Sequence, residues 1–217
     1  MSAVAVGVRA EGLTHRYGRI RTGVARLTFA FEGPGVVAVT GPNGSGKSTL
    51  LRILAGLLRP SEGSTAVTLD GRELPRTLRR TRAGLASPEL AFYDELSGEE
   101  NLVFAAEARG LPAPARAAGA ALERVGLARR ARDRVAAYSS GMKQRLRLAF
   151  ALLHEPPLVL LDEPASHLDE EGRAAAEAAV RDAASRGLVL VATNDPEEVR
   201  LAERRLALVA RGLGDPA

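Results

Sequence analysis

The chain of 217 residues has no cysteine. That excludes disulfides, thiol catalysis and cysteine-held metal sites. No apolar run approaches the ~20 residues that span a bilayer. The N-terminus lacks a charged segment followed by an apolar stretch, so no signal peptide is expected. Any membrane role should therefore come through a partner. Lysine occurs only at Lys47 and Lys143, glutamine only at Gln144, and asparagine only at Asn43, Asn101 and Asn194. Few Asn, Gln and Met residues suit a thermophile; the excess of Arg over Lys follows equally from genomic base composition. The net charge is +4 and the pI about 10.1, which admits a nucleic-acid partner. The arginine clusters (Arg76, Arg79, Arg80, Arg82; Arg129, Arg130, Arg132, Arg134) have no interleaved aromatics, and aromatics make up 4 % of the chain. They read as solvated faces, and no nucleic-acid partner is expected.

The remaining composition, 46 % hydrophobic and 26 % charged, is that of a globular protein. The length allows one large domain, or a core with a lobe.

Within this ordinary composition one stretch stands out: Gly41-Pro42-Asn43-Gly44-Ser45-Gly46-Lys47-Ser48-Thr49. It fits G-x-x-x-x-G-K-[ST], a phosphate-binding loop. The apolar, β-branched run from Gly35 to Thr40 before it predicts a buried strand. Leu50 to Ala55 after it predicts a helix. A strand, a glycine loop and a helix N-terminus gather several backbone N–H groups around one anion. Lys47 should reach the outer phosphates and the Ser48 hydroxyl should ligate Mg2+.

Along the chain, strands are expected at Val4 to Val8, Val24 to Phe31, Val36 to Thr40 and Ala66 to Leu69. The loop's helix should run to about Leu58, and Asp70-Gly71 should form a turn. From about Pro88 to His154 the pattern is helical, with Ser97 capping Gly98 to Arg109. Pro112 and Pro114 open a helix to about Val125, and another starts near Gly141. Strands return at Leu158 to Leu161, Leu188 to Ala192 and Arg205 to Ala210, with an Ala-rich helix between the first two. Such alternation predicts an α/β fold with a mostly parallel sheet, and the helical middle reads as an inserted lobe.

The strand at Leu158 to Leu161 leads into Asp162-Glu163. Carboxylates at such a strand end sit beside the phosphate loop at the sheet crevice. Asp162 can hold Mg2+, directly or through water, and Glu163 can orient and deprotonate an attacking water. Ser139, Ser140 and Gly141 open a helix. They serve as plain caps or as a second anion site, since they leave N–H groups and a dipole facing outward.

The phosphate loop, the segment Tyr138-Ser139-Ser140-Gly141-Met142-Lys143-Gln144-Arg145, the run Leu160-Leu161-Asp162-Glu163-Pro164 and Ser166-His167-Leu168-Asp169 occur in this order. Together they resemble the ATP-binding subunit of an ABC transporter over essentially the whole chain. Short single-domain members of this kind resemble the heme-exporter ATPase of cytochrome c maturation. The resemblance implies a P-loop NTPase core (residues 1–87 and 155–217), an N-terminal antiparallel β subdomain and an α-helical lobe (about 88–154). It implies ATP and Mg2+ as cofactors. It also implies head-to-tail pairing, as a homodimer or with another nucleotide domain. Ser139, Ser140 and Gly141 would then touch the γ-phosphate held by the other subunit, and Asp169 would couple the two sites. Tyr17 matches the position that stacks on adenine; packing in its turn is the other reading. The expected partner is an integral membrane permease subunit, and the expected location is cytoplasmic, on the inner face of the membrane. No appended regulatory domain is expected after the last strand.

Two positions depart from the family pattern. Asn194 stands where the family has its switch histidine. An amide can donate a neutral bond to the γ-phosphate, while a charge-assisted bond is roughly twice as strong. Pro88 stands at the glutamine of the loop entering the helical lobe, where a proline side chain offers no ligand; Ser87 or Glu89 could take its place. Glu163 is intact, so the expectation is weakened hydrolysis. A transport motor is the first reading, and a nucleotide-gated, membrane-associated regulatory module with slow hydrolysis is the alternative. DNA-associated members of the family carry long coiled coils or zinc inserts, and the protein-synthesis type carries two nucleotide domains; this sequence has neither.

Overall fold

Two sheets of different character frame the computed structural model, which describes residues 5–18 and 21–209. The first is antiparallel. It contains β1 (Val6–Tyr17), β2 (Arg21–Glu32), β4 (Glu62–Leu69) and the short β5 (Arg72–Glu73), in the order β2-β1-β4-β5. β1 is longer than expected. Gly12, at φ 56, sits in a register irregularity between Ala10 and Leu13, so the strand runs on past the expected end at Val8. Asp70 and Gly71, at φ 48 and 76, form the expected tight turn between β4 and β5.

The second sheet is parallel throughout. β3 (Gly35–Thr40), β6 (Ala83–Ala86), β7 (Leu158–Asp162), β8 (Leu188–Ala192) and β9 (Arg204–Ala207) lie in the order β6-β7-β8-β3-β9. Its central strands are continuous apolar runs because both faces are covered. Val37, Val39, Leu158, Leu160, Leu188 and Leu190 face one side. There they share a core with α1 (Lys47–Leu54) and the antiparallel sheet. Val36, Val159, Leu161, Val189 and Val191 alternate to the other side. They share a core with α3 (Gly98–Ala108), α4 (Pro114–Arg124), α5 (Ser140–Leu152) and α6 (Glu170–Arg186).

Local chemistry explains most boundaries. Ser97 and Glu100 form a reciprocal capping box at the start of α3: the Glu100 N–H donates to Ser97 Oγ at 3.1 Å, and the Ser97 N–H to Glu100 Oε2 at 2.7 Å. α1 stops four residues before the expected Leu58, because Gly56 takes a left-handed φ of 77 close against the Arg76 carbonyl. α2 (Arg76–Arg82), β6 and α7 (Pro196–Arg200) were not foreseen; each is short. Of the expected strand ends, Val4 and Ala210 lie outside the described residues.

Candidate nucleotide site

The strand order β7-β8-β3 brings three carboxyl ends together. Asp162, Ala192 and Val39 lie in one row across them. The residues that follow therefore converge: Glu163 after β7, Thr193 and Asn194 after β8, and the loop from Gly41 after β3. The loop itself is shaped by its glycines. Gly46 precedes α1 at φ 99, and a Cβ there would lie 1.9 Å from the Gly23 carbonyl oxygen. Gly46→Ala is expected to lower stability by about 2–5 kcal/mol, the sum of left-handed strain and overpacking. Urea unfolding measures it, and a change below about 1 kcal/mol would mean the loop is not held this way.

Lys47 is buried to 7 % exposure. Its Nζ donates to the Gly41 carbonyl at 2.7 Å and reaches the Pro42 carbonyl at 3.5 Å. A positive charge thus sits inside the concavity, over a turn in which the Ser45 N–H donates to the Pro42 carbonyl. Ser45 Oγ is buried with no hydrogen-bond partner among the described residues. Asn43, Gly44, Lys47 and Ser48 line one wall of a cavity of about 370 Å³. Asp162 and Glu163 line another, and Tyr17 a third.

Asp162 is 5 % exposed. Burial pushes its carboxyl above the ordinary value; the Ser48 hydroxyl bond pulls it down, the Glu163 charge raises it, and Arg52 and Lys47 lower it. A hydroxyl and a buried carboxylate in contact beside the loop make a pair of hard oxygen donors that suits Mg2+. Glu163 is exposed at the cavity and has a left-handed φ of 51. Its N–H donates to the Ala192 carbonyl at 2.9 Å, and Gln144 Nε2 donates to its carbonyl at 2.9 Å.

Asn194 is exposed beside the start of the loop and is not among the described residues that line the cavity. The Gly41 N–H donates to its Oδ1 at 3.3 Å, which leaves the amide NH2 as a donor. Tyr17 packs edge-on against His15, with ring centroids 4.7 Å apart, and its hydroxyl lies 3.2 Å from the Thr49 hydroxyl. Both of its readings, packing and a wall for a base, fit this position.

Ser139 caps α5 by accepting the Met142 N–H at 3.2 Å, and Asp169 caps α6 by accepting the Gly172 N–H at 2.9 Å. A Cβ on Gly141 would lie 2.9 Å from the His167 carbonyl, so the two caps belong to adjoining segments. Ser139, Ser140 and Asp169 are exposed. Among the described residues that wall the cavity, neither they nor Gly141 appears.

One residue at the site, Arg52, carried no sequence signal of its role. Arg52, one turn into α1, lies 2.5 Å from Glu89, and both line the cavity. Glu89, next to Pro88, therefore supplies a side chain where the proline cannot. Gln144 holds the Glu163 backbone, and the signal available for it was its being the one glutamine in the chain.

The sequence profile of the ABC transporter family matches residues 24–166. This chain belongs to the ABC transporter family. Linearmycin resistance ATP-binding protein LnrL of Bacillus subtilis (strain 168) is 32 % identical over 211 residues, covering 94 % of this chain and 67 % of LnrL. Cytochrome c biogenesis ATP-binding export protein CcmA of Rhodopseudomonas palustris (strain BisB5) is 38 % identical over 190 residues, covering 85 % of this chain and 90 % of CcmA. A solved ATP-binding cassette, dimeric, in a post-hydrolysis state with ADP and Pi, superposes with a TM-score of 0.83 at 26 % identity. It covers 93 % of this chain and 94 % of its own. Several curated relatives are longer: the chain spans 44–67 % of the length of five of them.

Proposed function

We propose that this chain binds and hydrolyses ATP and so powers transport through a separate membrane subunit. The observation that carries this reading is the convergence of Lys47, Ser48, Asp162 and Glu163 on one cavity at the ends of β3 and β7. Gly41 to Thr49 would cradle the phosphates, with Lys47 on the outer ones and Tyr17 against the adenine. Ser48 and Asp162 would hold Mg2+, which neutralises phosphate charge when bound. Glu163 would accept a proton from the attacking water, and Asn194 would donate its amide to the γ-phosphate. In this reading residues 1–217 form one nucleotide domain, with a core of 1–87 and 155–217 and a helical lobe at about 88–154.

The exposed positions of Ser139, Ser140 and Asp169, away from the chain's own cavity wall, support completion of the site by a second nucleotide domain. No helix among the described residues is long and apolar enough to cross a membrane. In this reading the permease partner is a separate chain, and this one is peripheral on the cytoplasmic face. For the cargo class, the likeness to CcmA, 38 % identical over 85 % of this chain, favours export of the cytochrome c biogenesis type.

A slow, nucleotide-gated regulatory module is the second reading, and Asn194 in place of histidine is what favours it. A charged bond to the γ-phosphate is worth about 1.5–3 kcal/mol. Asn194→His is therefore expected to raise turnover by about ten-fold. Turnover should change more than ATP affinity, since contacts stronger in the transition state accelerate chemistry. Asn194→Ala should lower it. Steady-state ATPase rates of the three proteins decide: no gain with His and no loss with Ala would remove Asn194 from the mechanism and favour the slow module.

A further inference from the structure

Glu198 takes no part in the nucleotide cavity, yet it is 7 % exposed. It sits on α7, a five-residue helix capped by Asp195. Its Oε1 accepts the Ala165 N–H at 2.7 Å, and its carboxylate also takes a bond from the Thr193 side chain. Ala165 lies two residues after Glu163, and Thr193 lies one residue before Asn194. One carboxylate thus joins the loop of the proposed base to the segment of the proposed phosphate donor. Burial pushes the Glu198 carboxyl above its ordinary value, against those two bonds; Asp195 raises it further and Arg173 of α6 lowers it. Glu177 of α6 and Glu197 of α7 line the same small cavity.

The Glu163 loop needs such a tie. A non-glycine residue at φ 51 is strained and persists only where its surroundings over-determine it. Four bonds do so here: the Glu163 N–H to the Ala192 carbonyl, Gln144 Nε2 and the Ser166 N–H to the Glu163 carbonyl, and the Ala165 N–H to Glu198. The last also reaches the Asn194 segment. That segment is fixed independently: the Thr193 N–H donates to the Val39 carbonyl at 3.0 Å, and Arg173 pairs with Asp195 at 2.8 Å.

We propose that Glu198 is a positioning residue for hydrolysis, whose carboxylate locks the Glu163 loop onto the Asn194 segment so that base and phosphate donor keep one geometry. This rests on the hydrolytic reading of the site. Two conservative variants separate reach from charge. Glu198→Gln keeps the reach and an acceptor for the Ala165 N–H while removing the charge. Glu198→Asp keeps the charge and withdraws it by one methylene. For Glu198→Gln the expected kcat is within two-fold of wild type. For Glu198→Asp it is lower by five-fold or more, with the KM for ATP within two-fold in both. Amide hydrogen exchange at Ala165 should stay slow in Glu198→Gln and become faster in Glu198→Asp. Glu198→Asp at the wild-type rate with Ala165 still protected would overturn this assignment alone. A loss of kcat in Glu198→Gln equal to that in Glu198→Asp would overturn it as well, by making charge the cause. A wild-type chain that binds ATP and releases no phosphate would overturn the hydrolytic reading and this assignment together.

Discussion

Lys47→Ala should lower the affinity for Mg·ATP by about 100-fold or more. The amine is buried at 7 % exposure and rests 2.7 Å from the Gly41 carbonyl, inside the concavity that would take the phosphates. Each hydrogen bond between charged groups is worth about 1.5–3 kcal/mol, and a lysine between outer phosphates makes about two of them. At 1.4 kcal/mol per ten-fold, about 3 kcal/mol already gives 100-fold. The glycine geometry that shapes the loop does not depend on Lys47, so the variant should fold. Isothermal titration calorimetry with Mg·ATP measures the loss. An unchanged affinity would mean that the phosphates bind elsewhere.

The phosphate loop was legible in the sequence because its constraints are local. Gly41 and Gly46 take φ values of 146 and 99, which other residues rarely adopt, and Lys47 and Ser48 follow at fixed offsets. Asp162 was legible for a related reason: an apolar strand buried on both faces must end somewhere, and its acidic end lies at the crevice. The β6 strand was not legible. Its four residues, Ala-Gly-Leu-Ala, have no alternation and little side chain, and pairing with β7 makes them a strand. The tie from Glu198 to Ala165 joins residues 33 apart, and nothing in the local sequence marks that glutamate as buried. The contact of Gln144 with the Glu163 carbonyl spans 19 residues. Glu89 was legible as a stand-in for Pro88, but its ion pair with Arg52 of α1 was not, because the two residues come from different elements. Local rules thus located Lys47, Ser48, Asp162 and Glu163, while Asn194 was located by the family resemblance. The groups that hold them in place come from different elements, and the fold was needed to see them.

Glu163→Gln should lower phosphate release by about 100-fold or more while ATP affinity stays within a few-fold of wild type. A positioned general base contributes about 10²–10⁴ in rate, and the amide keeps the shape of the carboxylate without its basicity. The backbone bonds that hold Glu163, from Gln144 and to Ala192, do not involve its side chain and should survive. With hydrolysis stopped, ATP should persist between two copies, each offering the exposed Ser139 and Ser140 and the half-buried Gly141 to the other's nucleotide. Size-exclusion chromatography of Glu163→Gln should therefore show a dimer with Mg·ATP and a smaller species without it. A monomer under both conditions would speak against a site shared between copies of this chain.

The most direct measurement is the initial rate of phosphate release from Mg·ATP by the purified wild-type chain, run beside Lys47→Ala and Glu163→Gln at equal concentration. Release by the wild type, with both variants at or near background, is the predicted result. Equal release by all three proteins, or none by a wild type that binds ATP, would contradict it.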